Sequence, residues 1–184
     1  MKQKLHTKEV NLLSLIQEDQ STSLNINGNN DISGILQGNE FIQSNTNEPE
    51  IIIYLKFTGL VNITKILIDS KPQNLDNTPD ILKIFANSSN LDFADAASNS
   101  ATETIKLEGK FGNKIGLNIP KFRKISELVL YFTREDAEYI QLNSIQLYGA
   151  PGDELFNISK MKKEKEKKYK FDFHYSNFLF KSKK

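Results

Sequence analysis

The chain has 184 residues, 38% of them hydrophobic, and a formal net charge of +1; that is one ordinary domain, able to bury roughly 70% of its unfolded surface. It contains no cysteine and no tryptophan, which excludes disulfides, thiolate metal sites and cysteine nucleophiles. The opening MKQKLHTKEV lacks the apolar run of a signal peptide, and no span reaches the length of a transmembrane helix, so a cytoplasmic or nuclear protein without membrane association is expected.

Residues 1–8 are polar and expected to be flexible. Within 9–17, Leu12, Leu13, Leu15 and Ile16 are spaced for a short amphipathic helix docked on the body. The Ser/Asn/Gly-rich stretch 20–30 reads as a loop pinned by Leu24 and Ile26. A weak strand is expected over 35–42, and a polar turn over 44–49. The stretch 50–70, EIIIYLKFTGLVNITKILIDS, is the centre of the pattern. Ile51, Ile53, Leu55 and Phe57 share one face of an extended chain, because side chains alternate in a strand. Ile52 and Tyr54 make the other face apolar too, so cover on both sides is expected. Gly59 interrupts the run before Val61, Ile63, Ile66 and Ile68. The pattern predicts two antiparallel strands joined by a tight turn.

A surface loop follows over 71–78, with Pro72, Asp76 and Asn77. A third strand over 80–86 carries Ile81, Leu82, Ile84 and Phe85. The long polar loop 87–101 is expected to be anchored by Leu91 and Phe93, with Asp92 facing outward. Residues 102–107 and 115–119 alternate as short strands, the second ended by Pro120. LVLYFT at 128–133 is another buried strand, 135–138 an acidic turn, and 139–149 alternates again. Evenly spaced short strands with one predicted helix indicate an all-β sandwich or barrel.

The charge is unevenly placed. From Lys160 onward ten lysines stand against Glu164, Glu166 and Asp172, a net of +7. The totals of 24 basic and 23 acidic residues leave 14 and 20 before Lys160, a net of −6. An acidic body with a basic tail bears on partners and solubility, not on fold. The run MKKEKEKKY is a solvated connector or a short charged helix. Tyr169, Phe171, Phe173 and Tyr175 then alternate with polar residues, which predicts an added edge strand over 170–175. It would pair with the body or with a second copy, giving a monomer or a tail-mediated dimer. The expected organisation is a flexible 1–8, a domain over 9–159, and a Lys-rich aromatic tail over 160–184.

No residue set carries catalysis. His6 and His174 are far apart, so no transition-metal site is expected. Asp80, Asp92 and Asp95 read as solvated or turn-capping acids. Nothing has an EF-hand-like spacing for calcium. Gly109, Gly112 and Gly116 are spaced too loosely for a phosphate cradle and serve a hairpin. No cofactor is expected. Nucleic-acid binding by the lysine tail is disfavoured, because the body is acidic and arginine is scarce. The glycosylation-type triplets at Asn62, Asn87 and Asn157 are expected to be chance matches.

Several segments, taken in order across 10–148, resemble the PITH domain, the proteasome-interacting thioredoxin-like C-terminal domain. Asn11-Leu12-Leu13-Ser14-Leu15-Ile16 resembles the family's opening helix, and Ser23-Leu24-Asn25 its Cys-Leu-Asn. Phe41-Ile42-Gln43-Ser44 resembles the Phe/Leu-x-Glu-Ser that precedes an acidic cluster and an apolar strand. Pro79 through Phe85, Asn87, and Leu91-Asp92-Phe93 resemble a strand and loop ending in Met-Asp-Phe, and Gln141 to Gly149 the closing strand. There are departures. Ser23 replaces the family's cysteine, and Asn45, Asn47 and Glu48 retain little of its acidic cluster. No Cys-x-x-Cys is present, so a standalone form without a thioredoxin domain is expected.

The resemblance implies a jelly-roll-like, galactose-binding-like β-sandwich with a short N-terminal helix. It implies a non-catalytic adaptor at the proteasome regulatory particle and no redox activity. The partner-binding residues expected on this basis are Ser44, Asn45, Asn47, Glu48, Asp92 and Phe93, with Lys162 and Lys163 from the tail. The alternative is a carbohydrate-binding jelly roll, which needs exposed loop aromatics, and for which Phe93 is the sequence candidate.

Overall fold

A computed structural model describes residues 9–28, 32–72 and 75–152. The chain divides into two units, Met1–Gly152 and Asp153–Lys184, and every described residue belongs to the first. The flexible 1–8, the charged run and the strand expected over 170–175 lie outside the described residues.

The fold is organised on one long strand, β4 (Glu50–Asp69), with β1 (Val10–Asn11), β2 (Thr22–Leu24) and β3 (Ile42–Gln43) before it. After it come β5 (Ile81–Ala86), β6 (Glu103–Lys106), β7 (Lys114–Gly116), β8 (Ile125–Thr133), β9 (Gln141–Leu142) and β10 (Ser144–Pro151). The hairpin expected at Gly59 does not form. Gly59 has no positive φ, and the two-residue hairpin turns favoured between strands need one. The halves of β4 pair with different strands instead. Residues 50–56 pair with β8 and 52–54 with β2, while 61–69 pair with β10 and 65–67 with β7. A register shift between Lys56 and Val61 marks where the strand bends from one set of partners to the other. The result is an eight-stranded antiparallel sheet, ordered β1-β10-β4-β8-β5-β6, with β2 and β7 added on β4.

The sheet curls around one core. Ile51, Ile53 and Leu55 from the first half of β4 join Ile63, Ile66 and Ile68 from the second. Leu82, Ile84, Leu130, Phe132, Ile145 and Leu147 close the cluster. The other face of the first half is covered as well: Ile52, Phe85, Val129 and Tyr131 are buried there with Ala96 of the short helix α2 (Phe93–Ser98). The expected loop over 87–101 therefore contains a helix. Asp92 is exposed and caps it, accepting from the Asp95 N–H at 2.7 Å.

Three local expectations are corrected. Residues 9–17 form no α-helix: β1 pairs with β10, and single 3₁₀ turns follow at Leu13–Leu15 and Glu18–Gln20. Leu12 and Ile16 still reach the core, because the segment is tied to β10 and β4 by Leu12 N–H to Leu147 O and Gln17 N–H to Lys56 O. The strand expected over 35–42 is a helix, α1 (Ser33–Gln37), ended by Gly38 at φ 74° and followed by β3, which pairs with β9. Ile32, Ile35 and Leu36 lie at helical spacing and are buried. Within 20–30, β2 pairs with β4, and Ser23 points inward while Leu24 is exposed.

Among the described residues, the Ser23 hydroxyl finds no hydrogen-bond partner. A buried, unpaired hydroxyl costs about 1–3 kcal/mol. Ser23→Ala is therefore expected to raise stability by about 1 kcal/mol, read as a melting midpoint a few degrees higher. A lowered midpoint would mean that the hydroxyl is paired.

Candidate functional site

Three loops meet beside the start of β4. Asn25, in the left-handed region at φ 61°, reaches across to the 44–49 turn. Its Nδ2 donates to Glu48 O at 2.9 Å and Glu50 O at 2.6 Å. Its Oδ1 accepts from Asn45 Nδ2 at 2.7 Å. Asn47, also left-handed at φ 65°, donates its N–H to Glu138 O at 2.7 Å. Asparagine tolerates this backbone region better than most residues, which accounts for its use at both corners. Asn45, Asn47 and Glu48 thus stand together on an exposed rim.

Ser44 does not share that exposure. It is fully buried, and its hydroxyl accepts the Ile140 N–H at 3.0 Å. It holds the turn in place and presents nothing to a partner. The acidic turn 135–138 was legible only as a turn, yet the Asn47–Glu138 bond brings it to the rim. Arg134 organises it: its N–H donates to Pro49 O at 3.1 Å and its Nε to Asp136 Oδ1 at 2.9 Å. That pair lowers the Asp136 pKa and raises that of Arg134, but Asp136 is exposed, so the bond adds little stability. Glu48, Glu135, Asp136 and Glu138 are all exposed. Spatial neighbours thus return part of the acidity that Asn45 and Asn47 lack.

Asp92 and Phe93 lie elsewhere, on the outer face of the sheet. The Phe93 ring meets Tyr131 edge to face, with centroids 6.4 Å apart and an interplanar angle of 66°. The Tyr54 hydroxyl donates to Leu91 O, and Lys83 Nζ donates to Ala96 O at 3.1 Å near the end of α2. Leu91 and Phe93 anchor the segment as expected. The Phe93 ring is half-buried and engaged, so it offers little of the open platform that glycan stacking needs. Phe93→Ala is expected to cost about 2 kcal/mol through lost burial and ring contact, measured by denaturant titration. Unchanged stability with lost partner binding would make the ring a contact residue instead. Lys162 and Lys163 lie outside the described residues.

Tyr131 links this face to the rim. Its hydroxyl donates to Glu50 Oε2 at 2.7 Å. Burial first, and the bond to Glu50 second, push its pKa up to about 12. The Tyr54 pKa is raised too, by burial and then by Asp92. A folded value above the ordinary 10 means that the protonated phenol favours the fold. That contribution is complete below pH 10 and is lost as pH rises from 10 toward 12. Absorbance titration is expected to show a late phenolate step near pH 12 that Tyr131→Phe removes. Superimposable curves would refute the assignment.

Two of the three glycosylation-type triplets fall on structural asparagines. Asn62 is fully buried, with Nδ2 on Gly152 O and Oδ1 on Lys124 N–H. Asn87 bonds Lys124 O and Ser126. Asn157 lies outside the described residues. Among the described residues no cluster of His, Asp and Glu is arranged to hold a metal ion, and no helix is long and apolar enough to cross a membrane.

No curated protein sequence matches the chain. Solved structures are similar to it at the level of fold. The CBM32-1 and CBM32-2 domains of Clostridium perfringens ZmpB superpose with a TM-score of 0.55 at 13% identity, covering 74% of this chain. This chain spans 35% of that structure. The F5/8 type C domain of a Bacteroides fragilis protein gives 0.54 at 11% identity, covering 78% of this chain and 96% of the other. The CpGH89CBM32-5 module of Clostridium perfringens, in complex with GalNAc-β-1,3-galactose, gives 0.51 at 11% identity, covering 75% and 99%. Identities this low speak for architecture alone, and the architecture is the galactose-binding-like jelly roll. The family model described as PITH domain matches residues 2–167. That span includes every segment on which the sequence resemblance rested, from Asn11–Ile16 to Gln141–Gly149, and the chain belongs to the PITH domain family.

Proposed function

We propose that this domain is a non-catalytic protein-binding module that docks on the regulatory particle of the proteasome, in the cytoplasm or the nucleus. Membership of the PITH family over residues 2–167 carries the reading. The exposed rim of Asn45, Asn47 and Glu48, with Glu135 and Glu138 beside it, supports it as a polar docking surface for a basic partner face. Lys162 and Lys163 belong to the proposal as a second, basic contact for an acidic partner surface.

Affinity capture from native lysate tests it. Tagged full-length protein is expected to recover regulatory-particle subunits, and Glu48→Lys with Glu138→Lys to reduce the yield while leaving the fold intact. Rim charges act on encounter rate, so the yield is also expected to fall with added salt. Absence of regulatory-particle subunits at low salt, with the protein intact, would refute the proposal.

A further inference from the structure

Asn27 is followed by Gly28, and no other asparagine of the chain precedes a glycine. The pair lies just after β2, and both residues are exposed. The segment leading to it is fixed. Asn25 holds the 44–49 turn, Ile26 bridges Ser44, and the Asn27 N–H donates to Gln43 O at 2.8 Å. Past that bond the anchoring stops: neither the Asn27 side-chain amide nor the Gly28 N–H bonds to another described residue. Gly28 has φ 107°, a region that glycine enters at no steric cost, and a Cβ built on it would have no heavy atom within 4 Å.

This is the arrangement in which an asparagine reacts with its own backbone. The carboxamide carbon of Asn27 is placed to be attacked by the nitrogen of the next residue, and Gly28 has no side chain to crowd the approach. The chain's other asparagines are less open to it. Three precede serine, Asn87, Asn99 and Asn143, and each has a Cβ beside the attacking nitrogen. Asn87 is also held through Lys124 O and Ser126, and Asn143 Oδ1 accepts from Lys71 N–H and Gln141 Nε2.

We propose that Asn27 is a site of spontaneous modification, at which the side-chain amide is converted to a carboxylate. Solvent base removes the Gly28 N–H proton, and the nitrogen bonds to Asn27 Cγ. The Cγ–Nδ2 bond breaks, and the nitrogen leaves as ammonia after taking a proton from water. Water then opens the succinimide at either carbonyl, giving isoaspartate or aspartate at residue 27. No oxidant or reductant is needed, and the segment that holds the rim gains one negative charge. The proposal does not depend on proteasome docking, and the two fail separately.

The test is incubation of the full-length folded chain at 37 °C for several days, in neutral and in mildly alkaline buffer. Anion-exchange chromatography separates acidic forms, and peptide mapping with an isoaspartyl methyltransferase assay locates them. An acidic form is expected to accumulate faster at the higher pH, with the change at Asn27 and isoaspartate among its products. Gly28→Ala is expected to slow it about tenfold, since a Cβ shields the nitrogen and disfavours φ 107°. Asn27→Gln is expected to abolish it, with circular dichroism confirming that both variants are folded. No acidic form at residue 27, earlier modification of Asn87, Asn99 or Asn143, or aspartate without isoaspartate would overturn the proposal.

Discussion

Gly149→Ala is expected to disrupt the fold more than any other loss of so small a freedom. Gly149 lies in β10 at a register shift against β4. A Cβ built on it would lie 1.9 Å from Asn62 O, 2.9 Å from Asn62 C and 3.0 Å from Ile63 Cα. All three are backbone atoms of β4, so no rotamer change relieves the clash. β10 would have to move off β4, and the pairing from Ser144–Asp69 to Pro151–Val61 with it. The Asn62 side chain cannot yield either, because it is buried and bonded on both ends. Overpacking commonly costs about 1–3 kcal/mol where side chains can give way. Here none can, and a cost of about 4 kcal/mol or more is expected. Gly59→Ala is the control: no atom lies within 4 Å of its Cβ position, and its φ is not positive. It should be neutral or slightly stabilising, since alanine narrows the unfolded ensemble. Thermal and denaturant melts of the two variants decide the matter. An unshifted midpoint for Gly149→Ala would refute the close approach of β10 to β4, and a large loss for Gly59→Ala would restore the hairpin.

Ile53→Asp is expected to leave little folded protein at 37 °C. Ile53 is fully buried in β4, level with Ser23 of β2 and Leu130 of β8. Its surroundings are the apolar core, and among the described residues no lysine or arginine is buried. An aspartate placed there is either ionised without a counter-charge, with at most the Ser23 hydroxyl to donate to it, or neutral at the cost of a large upward pKa shift. Several kcal/mol are lost in either case, against a typical total of about 5–15 kcal/mol. Circular dichroism melts and soluble yield measure it. A variant melting like the parent would show that Ile53 does not face the core.

The alternation from Ile51 to Phe57 was enough to identify a strand apolar on both faces, because side-chain direction along an extended chain is a local property. The LVLYFT run of β8 and the anchoring pair Leu91 and Phe93 were legible for the same reason. The continuity of β4 through Gly59 was not. A glycine between two β-branched runs fits a turn or a bend equally well, and the choice fell to the partners each half finds, β8 on one side and β10 on the other. α1 was hidden because five residues hold too little of the helical period to outweigh the pull of Ile35 and Ile42 toward a strand reading. The rim belongs to the same class. Asn25, the 44–49 turn and the 134–138 turn are far apart in the chain, and only sheet closure brings their carbonyls and amides within bonding distance. Local sequence determined which segments are extended and which faces are apolar. Long-range pairing decided what Ser44 is hidden under, which acids gather around Asn47, and which aromatic ring, Phe41 rather than Phe93, is left facing water, because burial depends on the whole packed chain.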